Sequence, residues 1–292
     1  MKKIILTALV AIATLTSNAQ TPITIGKYTT QHGPENGSLV IIGGGQHPEL
    51  VVDTIVSLAG GKEKAKIVVV TNASGSDEDY HSKTIEEFAA KVGKKNVSVL
   101  NLKTIEEAND DKKLKDLKEA TGIFFTGGRQ WRITDVYLNT KAHKYFNDVL
   151  ARGGVISGSS AGASVQGSLL WRGDTKGPHI LIGDHTQGLG FLRYAAIDQH
   201  ILARNRQSDL AEYIAAANRL IPENQTKFVG VGIDEATAIV VHKDQFEVIG
   251  KSFVAVHGGH NNFGRSDELF QVLKPGDKYD LNKGVRITKR EY

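Results

Sequence analysis

The sequence predicts an α/β fold with a mostly parallel sheet covered by helices on both faces. Short apolar runs rich in Val and Ile alternate with helical stretches, and these runs are apolar throughout rather than at every second position. Strands of that kind are buried on both faces, as in three-layer α/β domains. Two closely spaced Val-, Ile- and Gly-rich stretches near the carboxyl end add antiparallel hairpins at the far end of the sheet.

Each element follows from its local pattern. Five apolar runs predict strands, at residues 38–42, 66–70, 97–102, 122–125 and 153–157. The stretches between them predict helices, at residues 48–59, 84–92, 110–119 and 131–150. The small residues 163–170 can continue as a helix after the fifth strand. A sixth strand at 195–197, a helix at 208–220 and hairpins over 229–241 and 245–256 complete the prediction.

The first 19 residues have the pattern of a secretory signal peptide. Lys2 and Lys3 precede an apolar stretch over residues 4–15, and Ser17-Asn18-Ala19 supplies the small residues that a signal peptidase reads. The stretch is too short for a comfortable transmembrane span, and no other segment approaches that length. We therefore expect export to the periplasm or the extracellular space, with residues 20–292 forming a single domain.

Charge and cysteine content narrow the function classes. Removing Lys2 and Lys3 lowers the formal net charge from +4 to +2, which gives no electrostatic footprint for nucleic acid. Cysteine is absent, so the chain has neither a disulfide nor a lipoprotein anchor. The loop Gly43-Gly44-Gly45 lacks both the dinucleotide spacing and the Lys-Ser/Thr ending of a phosphate-binding loop. His257 and His260 lack helical spacing and nearby carboxylates, so we predict no metal site and no cofactor.

Residues Gly158-Ser159-Ser160-Ala161-Gly162 form a G-x-S-x-G pentapeptide between the fifth strand and the following helical stretch. Strand, tight turn and helix are the context that makes this pattern a nucleophile elbow. The turn exposes the Ser160 hydroxyl above the sheet edge, and the next amides and the helix N-terminus favour negative charge nearby. A structural strand-to-helix turn is the alternative.

A serine nucleophile needs a base and an orienting acid. His200 ends a predicted strand beside Asp198 and Gln199, so we predict it as the base; the alternative is a buried structural histidine. The most suggestive acids are Asp234 and Glu235, where the strand 229–233 ends. An order of serine, histidine and acid argues against an ordinary α/β-hydrolase, in which the histidine comes last. Asp234 and Asp174 remain open alongside Glu235.

Four motifs in order resemble those of the cyanophycinases, in the serine peptidase family that also contains the aspartyl dipeptidase peptidase E. They are Gly158 to Ala163, Thr126-Gly127-Gly128-Arg129-Gln130, Asp198-Gln199-His200 with Arg204 and Arg206, and Gly232 to Thr237. The resemblance implies a fold similar to class I glutamine amidotransferases, which is flavodoxin-like. It also implies catalysis without a cofactor, usually in a homodimer.

By motif matching, the resemblance gives each site residue a role. Ser160 would be the nucleophile, His200 the base and Glu235 the orienting acid. The amides of Gly128 and Ala161 would form the oxyanion hole. The substrate pocket would be lined by Gln130, Asp198, Gln199, Arg204 and Arg206.

One position departs from the family pattern. A third arginine lies five positions beyond the first in the family motif, where this chain has Asp209. An acid there would repel a substrate carboxylate, or would receive a cationic arginine group. The expected function is an exported serine exopeptidase that cleaves β-linked aspartyl peptides, with cyanophycin as substrate and β-Asp-Arg dipeptides as products. An aspartyl or isoaspartyl dipeptidase and a catalytically inactive binding protein are the alternatives.

Overall fold

Two β-sheets organise the protein in a computed structural model that describes residues 29–75, 82–258 and 270–287. The predicted signal peptide and His260 lie outside these described residues. The nine-stranded sheet has a parallel centre in the order β1 (Ser38–Ile42), β5 (Val155–Ser159), β4 (Gly122–Phe125), β2 (Ile67–Val70) and β3 (Val97–Leu100). Antiparallel strands extend it beyond β1, namely β9 (Thr237–His242), β10 (Gln245–Gly250), β13 (Lys278–Asp280) and β14 (Val285–Arg286).

The second sheet has five strands and was not predicted as separate. Its order is β12 (Gln271–Leu273), β11 (Val254–Gly258), β8 (Val229–Ile233), β7 (Leu192–Gln199) and β6 (Gly167–Leu169). The pairs β6–β7 and β7–β8 are parallel, whereas β8–β11 and β11–β12 are antiparallel. The stretches expected as simple hairpins therefore divide: β9 and β10 form a hairpin in the first sheet, and β8 and β11 pair in the second.

Both faces of the nine-stranded sheet are buried along the inner strands β1, β2, β4 and β5, as their continuous apolar runs predict. Val40 and Ile42 of β1 pack with the helices α1 (Glu49–Leu58) and α2 (Ser82–Val92). Leu39 and Ile41 point to the opposite face, because successive strand residues alternate. There they join the cluster that contains Phe146 and residues of the second sheet. The α/β prediction with helices on both faces and antiparallel strands at the end is confirmed.

The remaining helices are α3 (Lys115–Glu119), α4 (Gln130–Tyr137), α5 (Lys141–Ala151), α6 (Ala161–Ser164) and α7 (Asp209–Leu220). None of the helices in the described ranges is long and apolar enough to cross a membrane.

Two predicted helices are shorter in the structure. The expected helix 110–119 is reduced to α3, because the Asp110 carboxylate accepts a hydrogen bond from the Lys112 amide at 2.9 Å and closes a local turn instead. The helical stretch expected after the elbow stops after α6. The carbonyl oxygens of Val165 and Gln166 then accept from Leu189 and Leu192, which draws the chain into β6.

Candidate active site

The pentapeptide forms a strained elbow between β5 and α6. Ser160 has φ 58° and ψ −114°, a left-handed backbone that a non-glycine residue adopts only where the surroundings impose it. A Cβ atom at Gly158 would overlap the Gly162 carbonyl, and one at Gly162 would overlap the Phe125 carbonyl of β4. The flanking glycines are therefore required by close backbone packing, and the turn presents the Ser160 side chain at the carboxyl end of β5.

A continuous hydrogen-bond chain begins at this serine. The Ser160 Oγ lies 2.8 Å from Nε2 of His200, and Nδ1 of the same ring lies 2.6 Å from Oε1 of Glu235. The His200 ring is buried, whereas the Glu235 side chain is 42% exposed. These are the distances and the order of contacts that a nucleophile, a base and an orienting acid require.

The loop after β1 holds the histidine and the acid in place. The His200 amide donates to the Gly43 carbonyl at 2.9 Å, and the Ala236 amide donates to the Gly44 carbonyl at 2.9 Å. Gly44 has φ 119°, and a Cβ there would overlap the His200 ring. The triple-glycine loop thus packs directly against the His200–Glu235 pair. The loop resembles a phosphate-binding loop in the sequence, and three glycines after a strand also indicate a close approach of backbone or ring.

The two alternative acids are engaged elsewhere. Asp234 accepts from the amides of Leu202 and Ala203 at 3.0 and 3.4 Å, and from the Ser252 hydroxyl at 2.6 Å. It therefore fixes the turn that follows His200 rather than the ring itself. Asp174 accepts from the amides of Lys176 and Asp184, within its own loop. Of these three acids, all within the described ranges, only Glu235 is hydrogen-bonded to His200, at 2.6 Å.

The two residues predicted to supply the oxyanion amides belong to segments that adjoin Ser160. Ala161 is the first residue of α6, where amides have no partner within the helix. Gly127 lies against the serine, since a Cβ there would stand 3.9 Å from Ser160 Oγ. Gly128 follows with φ 140°, a conformation open to glycine alone. This placement can supply two amides to an oxyanion that forms on a carbonyl carbon attacked by Ser160.

The environment of His200 favours its neutral form. Burial of the ring lowers its pKa most strongly, the Glu235 carboxylate raises it, and the positive charges of Arg204 and Arg206 lower it again, with a net pKa below the usual range of histidine. A neutral imidazole can accept the proton of Ser160, so this shift keeps the base ready at lower pH.

Two of the predicted pocket residues are turned into the protein. Asp198 is fully buried and accepts from Trp171 Nε1, Arg172 Nε and the Gln199 amide at 2.9 to 3.0 Å. The Gln130 side-chain amide donates to the carbonyls of Trp171 and Arg172 at 2.8 and 2.9 Å. Both side chains thus bind residues 171–172. The predicted contact of Gln130 and Asp198 with substrate would therefore be indirect, through these two residues.

The other predicted pocket residues stay near His200. Gln199 precedes it and is 4% exposed, and its Oε1 has no hydrogen-bond partner within the described ranges. Arg204 is exposed on the turn after His200. Arg206 is more buried, with Nη1 3.4 Å from the Gln199 carbonyl and 3.6 Å from Asp198 Oδ1. Gln199 therefore keeps an unused acceptor beside His200, and the Arg204 side chain is open to solvent.

Arg172 is the residue of this region that sequence reasoning missed. Its side chain is 3% exposed and bonds to Asp198 through Nε at 3.0 Å and Nη2 at 3.0 Å, to Asp209 through Nη2, and to the Pro178 carbonyl through Nη1. Asp209, at the family's third arginine position, therefore pairs with a cation of this chain. Only Asp198, an acid at the end of an apolar strand, hinted that a buried cation was needed.

No group of three or more histidine, aspartate or glutamate side chains in the described ranges is arranged to hold a metal ion. His257 is buried in β11, and its sequence neighbour His260 lies outside those ranges.

A serine on a strand-to-helix elbow, bonded to a histidine and a carboxylate beside a glycine loop, places the protein among the serine hydrolases. The sequence profile of Peptidase family S51 matches residues 39–249, and the chain belongs to this family of serine-type peptidases. The predicted family is thereby confirmed.

Curated relatives and solved structures agree with this assignment. The chain is 28% identical over 263 residues to the cyanophycinase of Geminocystis herdmanii, covering 83% of this chain and 93% of that protein. It is 29% identical over 277 residues to the cyanophycinase of Synechococcus elongatus, covering 88% and 83%. A peptidase from an acI-B1 actinobacterium superposes with a TM-score of 0.58 at 22% identity, over 84% of this chain and 97% of that one.

A putative peptidase E from Listeria monocytogenes has a TM-score of 0.50 at 16% identity, over 74% of this chain and 99% of that one. At such identities the two structural matches speak for the fold alone, and they support the predicted architecture.

Proposed function

We propose that this S51 peptidase is an exported exopeptidase that hydrolyses β-linked aspartyl peptides through an acyl-enzyme on Ser160. The observation that carries the proposal is the hydrogen-bond chain from Ser160 through His200 to Glu235, next to the Gly127–Gly128 loop. The export follows from the signal-like residues 1–19, and the resemblance adds a homodimer to the proposal.

The proposed reaction has two steps, acylation of Ser160 and hydrolysis of the acyl-enzyme, and His200 acts as the base in both. His200 Nε2 takes the proton as Ser160 Oγ attacks the amide carbon, and the Gly128 and Ala161 amides stabilise the tetrahedral oxyanion. The imidazolium, held by Glu235, then gives the proton to the departing amine as the carbon–nitrogen bond breaks. Water attacks the remaining ester, with His200 again as base, and releases the acid product and free Ser160.

Cyanophycin is the first substrate to test. Two relatives are named cyanophycinases, and the motif resemblance points to β-aspartyl-arginine units. Arg204 and Arg206 follow His200 on the same turn, and guanidinium groups can hold a substrate carboxylate by two parallel hydrogen bonds. The products would be β-Asp-Arg dipeptides released from the end of the polymer.

A second candidate, an isoaspartyl dipeptidase, is favoured by one observation. Asp198 and Asp209, the acids at the predicted pocket positions, are both paired with Arg172. Acids neutralised in this way attract a substrate arginine weakly, because their charge and hydrogen-bonding capacity are already taken. Small β-aspartyl dipeptides without a cationic side chain would then serve equally well.

The hydrolase proposal is tested with a fluorophosphonate probe. The wild type should be labelled at Ser160, and Ser160→Ala should abolish labelling. Ser164→Ala is the matched control, because this hydroxyl lies in α6 and has no hydrogen-bond partner within the described ranges. Absence of labelling in the wild type, or equal labelling in Ser160→Ala, would refute the acyl-enzyme.

The substrate is tested by incubating the wild type with cyanophycin, with β-Asp-Arg and with isoaspartyl dipeptides of neutral residues. Release of β-Asp-Arg from the polymer supports the first candidate. Turnover of the dipeptides alone refutes cyanophycin and supports the second.

Export is tested by expressing the full chain in a bacterial host: a mature protein that begins near Gln20 in the periplasm or medium is expected, and an uncleaved cytoplasmic chain refutes it.

A further inference from the structure

The Gly127–Gly128 loop rests on a second loop that takes no part in the proposed chemistry. This is the 3-10 turn Asn72–Ser74, which follows β2 as the glycine loop follows β4. A Cβ at Gly128 would overlap the Ala73 carbonyl, and the Arg129 amide donates to the same carbonyl at 2.9 Å. The position of Gly128 is therefore set by the position of this turn.

Arg132 of α4 clasps the turn from both sides. Its Nη1 donates to the Ser74 carbonyl at 2.6 Å and to the Ala73 carbonyl at 3.3 Å. In return, the Asn72 side-chain amide donates to the Arg132 carbonyl at 2.9 Å. The guanidinium also lies 5.1 Å from the centre of the Trp131 ring, a cation–π distance. One side chain thus joins the start of α4 to the turn on which the glycine loop lies.

This arrangement has a catalytic consequence. Amides stabilise an oxyanion only when they stand in place before the charge develops, and small displacements of reacting groups are costly. The Ala73 carbonyl packs directly against Gly128, and Gly127 lies against Ser160. Without the guanidinium, the Ser74 carbonyl loses this donor and the Ala73 carbonyl keeps only the Arg129 amide. The turn is then held less firmly, and the Gly128 amide can shift with it.

We propose that Arg132 is a positioning residue that holds the Gly127–Gly128 loop in its oxyanion-binding position through the turn Asn72–Ser74. The proposal rests on the acyl-enzyme proposed for Ser160. Arg132 acts without touching the reacting atoms, and lysine cannot replace it fully because a single ammonium does not offer the planar, multiply donating face of a guanidinium.

The test compares Arg132→Ala with Arg152→Ala. Arg152 is a matched control, since its guanidinium also donates to two backbone carbonyls, those of Leu117 and Ala120, but at the opposite end of β5 from Ser160. We expect Arg132→Ala to slow fluorophosphonate labelling and to lower kcat by roughly 10- to 100-fold, with KM changed less than about threefold. Arg152→Ala should leave both rates near those of the wild type.

Further readouts separate positioning from a general loss of structure. Free guanidinium at millimolar concentration should restore part of the labelling rate of Arg132→Ala and none of that of Ser160→Ala. The acid limb of the pH profile should stay where it is, because the His200–Glu235 pair is untouched. If Arg132→Ala does not fold, Arg132→Lys decides: a labelling rate reduced by roughly 3- to 10-fold supports the proposal.

The labelling assay needs no peptide substrate, so the two proposals fail in different ways. A wild type that is not labelled removes the acyl-enzyme and this inference with it. A labelled wild type with Arg132→Ala labelled equally fast, or with kcat unchanged, overturns the inference alone. A uniform loss of kcat in both Arg132→Ala and Arg152→Ala also overturns it, because the effect would then not depend on the glycine loop.

Discussion

The two sheets contribute different parts of the site, and they do so by different means. The nine-stranded sheet presents Ser160 on an elbow whose shape follows from five consecutive residues and their close backbone packing. The five-stranded sheet presents His200 at the end of β7 and Glu235 just after β8. Backbone contacts with a loop more than 150 residues away place those two side chains. The proposed nucleophile is therefore encoded locally, and its proposed partners are placed by the tertiary fold.

The junction between the sheets is the loop after β1. The carbonyls of Gly43 and Gly44 accept hydrogen bonds from the amides of His200 and Ala236. Because Gly44 has no Cβ, it also leaves room for the His200 ring. A loop of the first sheet thereby holds the two segments that carry His200 and Glu235 from the second. Substitutions of Ser160 in the first sheet, of His200 or Glu235 in the second, and of the β1 loop should therefore lower kcat to different extents.

The largest effect is expected from removing either half of the serine–histidine pair. Ser160→Ala and His200→Ala should each lower kcat by roughly 10⁴-fold or more, and the double variant should lose little beyond either single one. The reason is that the two groups, one from each sheet, transfer one proton as a unit. Turnover of the preferred β-aspartyl substrate measures this, and losses that multiply in the double variant would show that the halves act independently.

A smaller loss is expected within the second sheet. Glu235→Gln should lower kcat by roughly 10²- to 10⁴-fold, because an amide orients the imidazolium of His200 less well and cannot balance its charge. Asp174→Asn is the control, since this acid bonds within its own loop. Steady-state kinetics of both variants decide, and a greater loss in Asp174→Asn would reassign the acid.

The junction itself is tested with Gly44→Ala. The new methyl group would overlap the His200 ring, so we expect kcat to fall by roughly 10- to 100-fold. Gly61→Ala is the matched control: this glycine also has a positive φ, 79°, but apart from its chain neighbours no atom of the described residues lies within 4 Å of its Cβ position. It should cost about 1 kcal/mol of unfolding free energy and leave kcat unchanged. Equal kcat in both variants would show that Gly44 does not position the His200 ring for catalysis.

The smallest effect concerns the pH profile. Activity requires neutral His200, so kcat/KM should rise with pH through a His200 pKa that burial, and then the arginine charges, keep below the usual range. Removing the positive charge in Arg204→Gln should raise that pKa and move the acid limb to higher pH. Arg219→Gln, on the exposed end of α7, should leave it in place. A shift to lower pH in Arg204→Gln would contradict the assigned electrostatics.

The sequence was sufficient for the features that depend on short patterns. Continuous apolar runs predicted the buried parallel strands, because such strands have both faces covered. The pentapeptide predicted the elbow, since its glycines and its strand-to-helix context are visible in one short segment. The His200 and Glu235 roles stay predictions, although the structure brings His200 to Ser160 and Glu235 to the far side of the His200 ring.

Other features depend on partners that no local pattern names. The apolar pattern of β7 and β8 indicates strands but not which sheet they join, so the second sheet was missed. Arg172 lies in a stretch without periodicity, and its pairing with Asp198 and Asp209 follows only from the tertiary fold. The meaning of Asp209 changed accordingly, from an acid facing the substrate to the partner of a buried cation.

Backbone groups of the β1 loop bond to those of His200 and Ala236, so these hold His200 and Glu235 in place without side chains of residues 203–228. The connection from Ile201 to Phe228 contains the turn with Arg204 and Arg206, and helix α7. Substitutions or insertions there can alter what the enzyme accepts while the proton-transfer geometry stays constant. Substrate preference in this fold can therefore diverge between relatives faster than catalytic competence.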